Sequence, residues 1–393
     1  MAKTQLLHQY FTIYSFARSK IIPYFCIMII EQISILNFKN IEEAELTFST
    51  KMNYFFGNNG MGKTNLLDAL FYLSFTKSHT NLLDAQLIRH DEDFCVLQAY
   101  YRDNDAKEEI YCGIKHKQRK VFKRNKKEYD RLSEHIGLIP MVMISPADME
   151  LIQGGSVERR KFVDMIISQY DKEFLRYLIH YNKVLQQRNS LLKERSVSTD
   201  SELFDVLDEQ LSSSGEIIFQ KRKEFISGFC PIFQKYYTAI GDGLESVDLQ
   251  YDSQLYHSSL SSLLKEKRDY DKILGYTSAG IHKDDFLFLL GNHLIRKTGS
   301  QGQNKTYLIA LKLAQFQFLL HKNTSVPILL LDDIFDKLDA NRVERIIQLV
   351  TKDEFGQIFV TDTNRKYLDE IILSMEHAYK LFQVENGKFK ELQ

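Results

Sequence analysis

One octapeptide constrains this chain more than any other stretch. Gly57-Asn58-Asn59-Gly60-Met61-Gly62-Lys63-Thr64 fits the pattern GxxxxGK[ST]. It stands between a short run that reads as a strand, residues 51–56, and one that reads as a helix. That helix should run from Lys63 to about Phe75, with Leu66, Leu67, Leu70 and Leu73 on one face. Strand, glycine loop and helix, in that order, are what a phosphate cradle requires. The glycines let successive backbone N–H groups turn inward around phosphate oxygens. Lys63 supplies a point charge to the β- and γ-phosphates, and Thr64 offers a hydroxyl to Mg²⁺. The helix that follows presents its positive end. The competing reading is a glycine turn that only caps a helix. By composition, a match this long arises by chance in roughly one chain per hundred of this length.

A phosphate loop needs an acid at the tip of a second buried strand to hold the metal. Ile328-Leu329-Leu330-Leu331-Asp332-Asp333 supplies one. The aliphatic run is expected to be buried on both faces. Asp332 would then hold Mg²⁺ through its water shell, and Asp333 would polarise an attacking water. The third element is Ser300-Gln301-Gly302-Gln303, directly before a helix expected over residues 303–321. A hydroxyl, a flexible glycine and a helix N-terminus can receive an anion. Alone, such a tetrapeptide is an ordinary helix start. Its place about 30 residues before Asp332 makes it informative.

The chain has 393 residues, 44% apolar and 26% charged, enough for sizeable cores. Its formal charge of -1 excludes a uniformly basic coat, so nucleic-acid contact would have to come from local patches. Two patches qualify. Residues 115–127 (KHKQRKVFKRNKK) carry eight Lys or Arg around a turn expected at Asn125, and Arg159-Arg160-Lys161 opens a helical stretch. A solvated, lysine-protected hairpin edge is an equal reading of the first tract. Cys26, Cys95, Cys112 and Cys230 show no metal-ligand spacing and read as buried fillers of a reducing, cytoplasmic compartment. His282 in Gly-Ile-His-Lys-Asp-Asp looks metal-like, but a lone histidine is more often a hydrogen-bonded structural residue. Residues 1–27 lack a cleavage site and read as an upstream extension, with Met28 as an alternative start.

Residues 28–48 alternate as an antiparallel strand pair joined near Asn40, and residues 93–145 read as strands in hairpins. From Pro146 to about residue 270 the spacing is helical, with two helices of about 30 residues, each reaching about 45 Å. Strand–helix alternation returns from Ser278, with strands at 286–290, 327–331 and 357–361 and a helix at 342–350. The expectation is an α/β ATPase head, a mixed sheet with helices, split by an inserted helical lobe. Residues 28–147 would form its first half, 148–275 the lobe and 276–393 its second half.

The order of the motifs resembles the ATP-binding-cassette ATPases. The match is closer to the RecF family of bacterial recombination mediators. ISILNFKNI (33–41), SPADMELIQGGSVERRKFVD (145–164), YNKVLQQRNSLLK (181–193), GIHKDD (280–285) and SQGQNKTYLIALKLA (300–314) all resemble segments of that family. The resemblance implies ATP and Mg²⁺ as cofactors and a head-to-tail homodimer with ATP between the protomers. Residues 57–64 and Asp332 of one chain would hold the nucleotide, and Ser300, Gly302 and Gln303 of the other would cap it. Asp339 resembles an acid that helps communicate across the dimer, and Lys39 and Asn40 stand where the first strand turns toward the nucleotide. It also implies slow hydrolysis used as a switch, single-stranded and gapped DNA as ligand, partners of the RecO and RecR type, no membrane, and a role in recombinational repair and fork maintenance. Departures are Asp333 where the broad family has Glu, Asp336 in place of a small hydroxyl residue, and Thr361-Asp362-Thr363 where many relatives place a switch histidine. Two other readings stay open: a nucleotide-binding subunit of a transporter, and a DNA-binding module that binds ATP without turning it over.

Overall fold

The computed structural model describes residues 28–103, 106–194, 201–241, 243, 245–323, 325–335, 338–352, 354–363 and 378–392. The extension read at 1–27, Cys26 and Asp336 lie outside them.

Two six-stranded sheets enclose the phosphate-loop helix. In the first, β1 (Met28–Phe38) and β2 (Ile41–Thr47) pair across the expected turn at Lys39-Asn40, with Phe38 opposite Ile41. β4 (Phe94–Asp103), β5 (Ala106–Lys115), β6 (Val121–Arg124) and β7 (Lys127–Glu128) complete an antiparallel meander in the order β2-β1-β4-β5-β6-β7. Asn125 and Lys126 both have positive φ, as a two-residue hairpin turn demands. The second sheet runs β15-β14-β3-β13-β12-β8, from β3 (Met52–Phe56), β8 (Met141–Ile144), β12 (Ile328–Asp332), β13 (Ile358–Asp362), β14 (Tyr379–Glu385) and β15 (Lys388–Glu391). All its pairs are parallel except the β14–β15 hairpin. β8 is therefore not part of a hairpin, as its position after the meander suggested. Its four residues, Met-Val-Met-Ile, are all buried, the mark of a strand covered on both faces.

Helix α1 (Lys63–Phe75) lies between the sheets, touching β1, β4 and β5 on one side and β8, β12 and β13 on the other. Its apolar residues point in every direction rather than to one face, because both sides of it are core. The helices of the stretch expected as a lobe follow: α2 (Met149–Gln153), α3 (Ser156–Tyr170), α4 (Lys172–Lys193), α5 (Ser201–Ile240) and α6 (Leu260–Leu274). The two long helices are unequal, 22 and 40 residues, rather than about 30 each. The first is shortened because Asp171 leaves the helical region and caps α4, accepting from Phe174 N at 2.9 Å. The second continues past Pro231, since Phe225, Phe229 and Phe233 form one buried stripe against α8 (Gln301–Lys322).

One strand falls inside the stretch read as helical. β9 (Val247–Asp252) buries Val247, Leu249 and Tyr251 on alternate positions and pairs with β10 (Asp285–Leu290), which pairs with β11 (His293–Leu294). Period-2 alternation over six residues was the missed signal. α7 (Ile295–Thr298) leads into α8, and α9 (Ala340–Val350) follows β12. Cys95, Cys112 and Cys230 are buried and unpaired, as fillers. Among the described residues no helix is long and apolar enough to cross a membrane.

Candidate functional site

β3, β13 and β12 lie side by side and parallel, so their carboxyl ends reach one edge together. Asp332 is opposite Thr361, and Asp362 is opposite Phe56. The glycine loop leaves β3 at this edge and enters α1. Gly57 admits no side chain, since a Cβ there would stand 2.3 Å from the carbonyl oxygen of Val384. Lys63, only 5% exposed, donates from Nζ to the carbonyls of Gly57 and Asn58. Burial lowers its pKa, while Asp333, Asp332 and Asp362 work in the opposite direction.

The acid expected at the tip of β12 meets the loop threonine. Thr64 Oγ1 lies 2.9 and 3.0 Å from the two carboxylate oxygens of Asp332, and Thr361 Oγ1 donates to the same group at 2.7 Å. Burial raises the Asp332 pKa against the pull of those two hydroxyls. Asp333 takes a left-handed backbone conformation, φ 48°, which its short side chain tolerates. Its N–H is fixed by the carbonyl and hydroxyl of Thr361, both at 3.2 Å. Thr361, at the point where a switch histidine was sought, instead orients both acids. Asn59, Gly60, Gly62, Lys63, Thr64, Asn65, Pro146, Asp332 and Asp333 line one cleft.

Two turns from distant parts of the chain brace the loop from behind. Asn40 donates to the carbonyl of Gly60 at 3.1 Å and accepts from Asn65 Nδ2 at 2.7 Å. Lys39 pairs instead with the buried Asp68 of α1 at 2.7 Å. The β14–β15 turn, Asn386-Gly387, sends the Gly387 N–H to the carbonyl of Met61 at 2.8 Å and the Asn386 N–H to its sulfur at 3.3 Å. Sequence reasoning passed over this second turn, although an Asn-Gly pair between alternating segments is a strong hairpin signal.

The serine-tipped helix is elsewhere. Ser300, Gly302 and Gln303 do not line the cleft. Ser300 caps α8 in a reciprocal box with Gln303, and Gln303 Nε2 also reaches Glu245. Beside them, Asp339 caps α9 and pairs with Arg342, whose guanidinium lies close to Gly302. The expected site residues therefore fall into two groups: residues 57–64 with Asp332 and Asp333 converge, while the Ser300 group faces outward from a different place.

The second basic patch does not survive as a patch. Arg159 is 4% exposed, bonded to Asp285 and the Gly154 carbonyl; Arg160 donates to the Asp284 carbonyl, and Lys161 pairs with Glu158. Arg159 ties α3 to β10 and Arg160 ties it to the residue before that strand, whereas the Lys161 pair stays within α3. In the first tract Lys120 and Arg124 are held by Asp84 and Glu108, while Lys115, Lys117, Arg119, Lys126 and Lys127 are exposed at the sheet edge. His282 is structural, bonded to Tyr181 Oη at 2.8 Å and the Thr277 carbonyl at 3.0 Å. Among the described residues no group of three or more His, Cys, Asp or Glu could cage a metal. Thr64 and Asp332 fit a Mg²⁺ that takes its other ligands from water and phosphate.

Residues 29–390 match the family model described as the RecF/RecN/SMC N terminal domain. A solved structure described as the recombination mediator protein RecF-ATP in the RecFOR pathway superposes with a TM-score of 0.85 at 27% identity, covering 95% of this chain and all of that one. A protein of Parabacteroides distasonis called DNA replication and repair protein RecF is 59% identical, over 93% of this chain and all of its own length. One of the same name from Azobacteroides pseudotrichonymphae is 66% identical over 365 residues, 93% of this chain and all of the relative. Agreement of that extent along whole relatives sets aside the transporter-subunit reading: the chain belongs to the RecF family.

Proposed function

We propose that the protein is an ATP-gated, DNA-binding clamp of recombinational repair and replication-fork maintenance. The observation that carries this reading is the division of the site. The loop, Lys63, Thr64 and Asp332 make a cradle within one chain, while Ser300 is exposed and does not line it. A second copy, placed head to tail, would bring its Ser300, Gly302 and Gln303 over the phosphates. Nucleotide would then join two chains, and loss of the γ-phosphate would remove contacts that both depend on.

In this reading Lys63 leaves the loop carbonyls for the β- and γ-phosphates, and Thr64 and Asp332 hold Mg²⁺. The metal supplies charge neutralisation on the phosphate oxygens. Asp333 orients the attacking water. A carboxylate one methylene shorter than Glu reaches less far, which suits slow turnover, a timer rather than a motor. The exposed lysines of residues 115–127 contact DNA phosphates without reading bases. The solved relative's description, with its RecFOR pathway, supports partners of the RecO and RecR type, and action on DNA in this reading places the protein in the cytoplasm.

Sedimentation with a non-hydrolysable ATP analogue, with and without gapped DNA at two salt concentrations, tests the whole reading. Dimers that form only with nucleotide, and bind DNA more weakly at high salt, are expected. A monomer at every nucleotide and protein concentration would sink it. Replacing Lys126 and Lys127 by Ala should flatten the salt dependence by about one to two counterions.

A further inference from the structure

The cradle and helix α8, exposed only at its two ends, are linked inside one chain by a buried ion cluster. Asp148 follows Pro146, which lines the cleft. One of its oxygens accepts from the Ser145 N–H at 2.8 Å and so fixes the turn that carries Pro146. The other meets Lys312 Nζ of α8 at 2.6 Å and His79 Nε2 at 3.3 Å. Side-chain exposures are 10%, 3% and 8% for Asp148, Lys312 and His79. Burial would push the Asp148 carboxyl up, but Lys312 and His79 hold it well below the usual carboxylate range. His79 is tied back to the phosphate-loop helix, since its N–H and the Ser78 hydroxyl both donate to Asp68, at 2.7 Å each. Asp68 lies one helical turn beyond Thr64. His79 Nδ1 is buried with no partner of its own.

We propose that Asp148 couples the cleft to α8 of the same chain, with Lys312 as the positioning residue. Two routes converge on it: Thr64 through Asp68 and His79, and Pro146 through Ser145. A displacement at either reaches Lys312, twelve residues and about 18 Å along the helix from Ser300. A buried charge cannot trade its partner for water at low cost, so α8 follows the carboxylate rather than letting it go. A purely apolar contact at this place would permit slip. The cluster thereby sets how the chain presents Ser300 when its own cleft fills. This inference rests on the reading that the cleft binds ATP, but not on dimerisation.

Hydrogen exchange at the first turn of α8, at protein concentrations where the chain is monomeric, is the test. In wild type, saturating non-hydrolysable ATP analogue is expected to change exchange at residues 301–306 at least threefold. Lys312→Met is expected to bind the analogue within threefold of wild type and lose that response; Lys312→Arg should recover it. Because a lone buried carboxylate can unfold the protein, the paired variant Asp148→Leu/Lys312→Met serves as control. Two apolar residues can replace a buried ion pair without loss of stability, so this variant should fold, bind the analogue and stay unresponsive. A wild type with unchanged α8 exchange at saturation, or a paired variant that responds like wild type, overturns the coupling. A chain that responds but never dimerises refutes capping between chains and leaves the coupling standing.

Discussion

The cleft and the end of α8 are built on opposite principles. In the cleft nearly every polar group is held by two or more others. Asp332 is fixed by Thr64 and Thr361, and the loop is braced by turns from residues 39–40 and 386–387. At the end of α8, Ser300 and Gln303 satisfy mainly each other, at the surface. The first region is complete within one chain. The second caps its own helix and, in the proposed reading, awaits the phosphates held by another chain. The contrast teaches where to look for a partner: at residues arranged for an anion yet placed away from the chain's own anion site.

If that contrast is right, damage to the two regions separates cleanly. Lys63→Met should produce the largest effect, lowering affinity for ATP by about two orders of magnitude or more, since a buried charge facing the phosphates contributes several kcal/mol. Equilibrium binding of a fluorescent ATP analogue measures it, and a variant that binds within tenfold of wild type breaks the assignment of the loop. Ser300→Arg should leave that affinity within about threefold, because the residue lies outside the cleft. Nucleotide-driven pairing in sedimentation should disappear. Pairing at wild-type levels would dissolve the distinction between the regions.

Much of the cleft was legible because its residues are contiguous. The loop and the ILLL run with its acids each carry their chemistry in a few neighbouring positions, and strand–loop–helix order fixes where they meet; the serine-led helix was equally legible but stands outside the cleft. What was not legible depends on tertiary contact. Nothing local says that Arg159 is buried against Asp285 126 positions away, so a surface-like Arg-Arg-Lys run read as a patch. β9 was lost because six alternating residues stand between long helices. The brace at Asn386-Gly387 carried its own turn signal, yet its bearing on residue 61 follows only from β14 lying beside β3. That brace sharpens the comparison. Gly387 has φ 76°, and a Cβ there would stand 2.5 Å from the carbonyl of Asn40. Gly387→Ala should push the two bracing turns apart and weaken ATP binding about tenfold, roughly 1.4 kcal/mol. Pairing per bound nucleotide should be unchanged. A fall in pairing at equal saturation would mean that the brace serves α8 as well.

The smallest effect concerns how helix α4 is pinned to the segment before β10. His282 bridges Tyr181 of α4 and the Thr277 carbonyl, and burial, aided by Lys283 and Arg160, brings its pKa down to about 4. The folded imidazole stays neutral until the pH reaches that value, whereas in the unfolded chain it takes up a proton near 6.5. Between the two, only the unfolded state gains the proton. Stability therefore falls as pH drops from about 6.5 to 4 and is unaffected by this group above that window. His135, buried against the Leu73 carbonyl and also brought down to about 4, adds a second contribution of the same sign in the antiparallel half. Each contributes roughly 1–3 kcal/mol over the window, once burial of an uncharged ring is allowed for. Urea unfolding at pH 7.5 and 5 measures the part of the sum that accrues by pH 5, and His282→Gln should remove about half of the difference. His282 and His135 make no hydrogen bond to Thr64, Asp332 or Lys63, so their protonation should leave ATP affinity at pH 6 near its value at pH 7.5 while stability declines. A parallel loss of both would show that the lobe's pinning and the cleft are one cooperative unit rather than two.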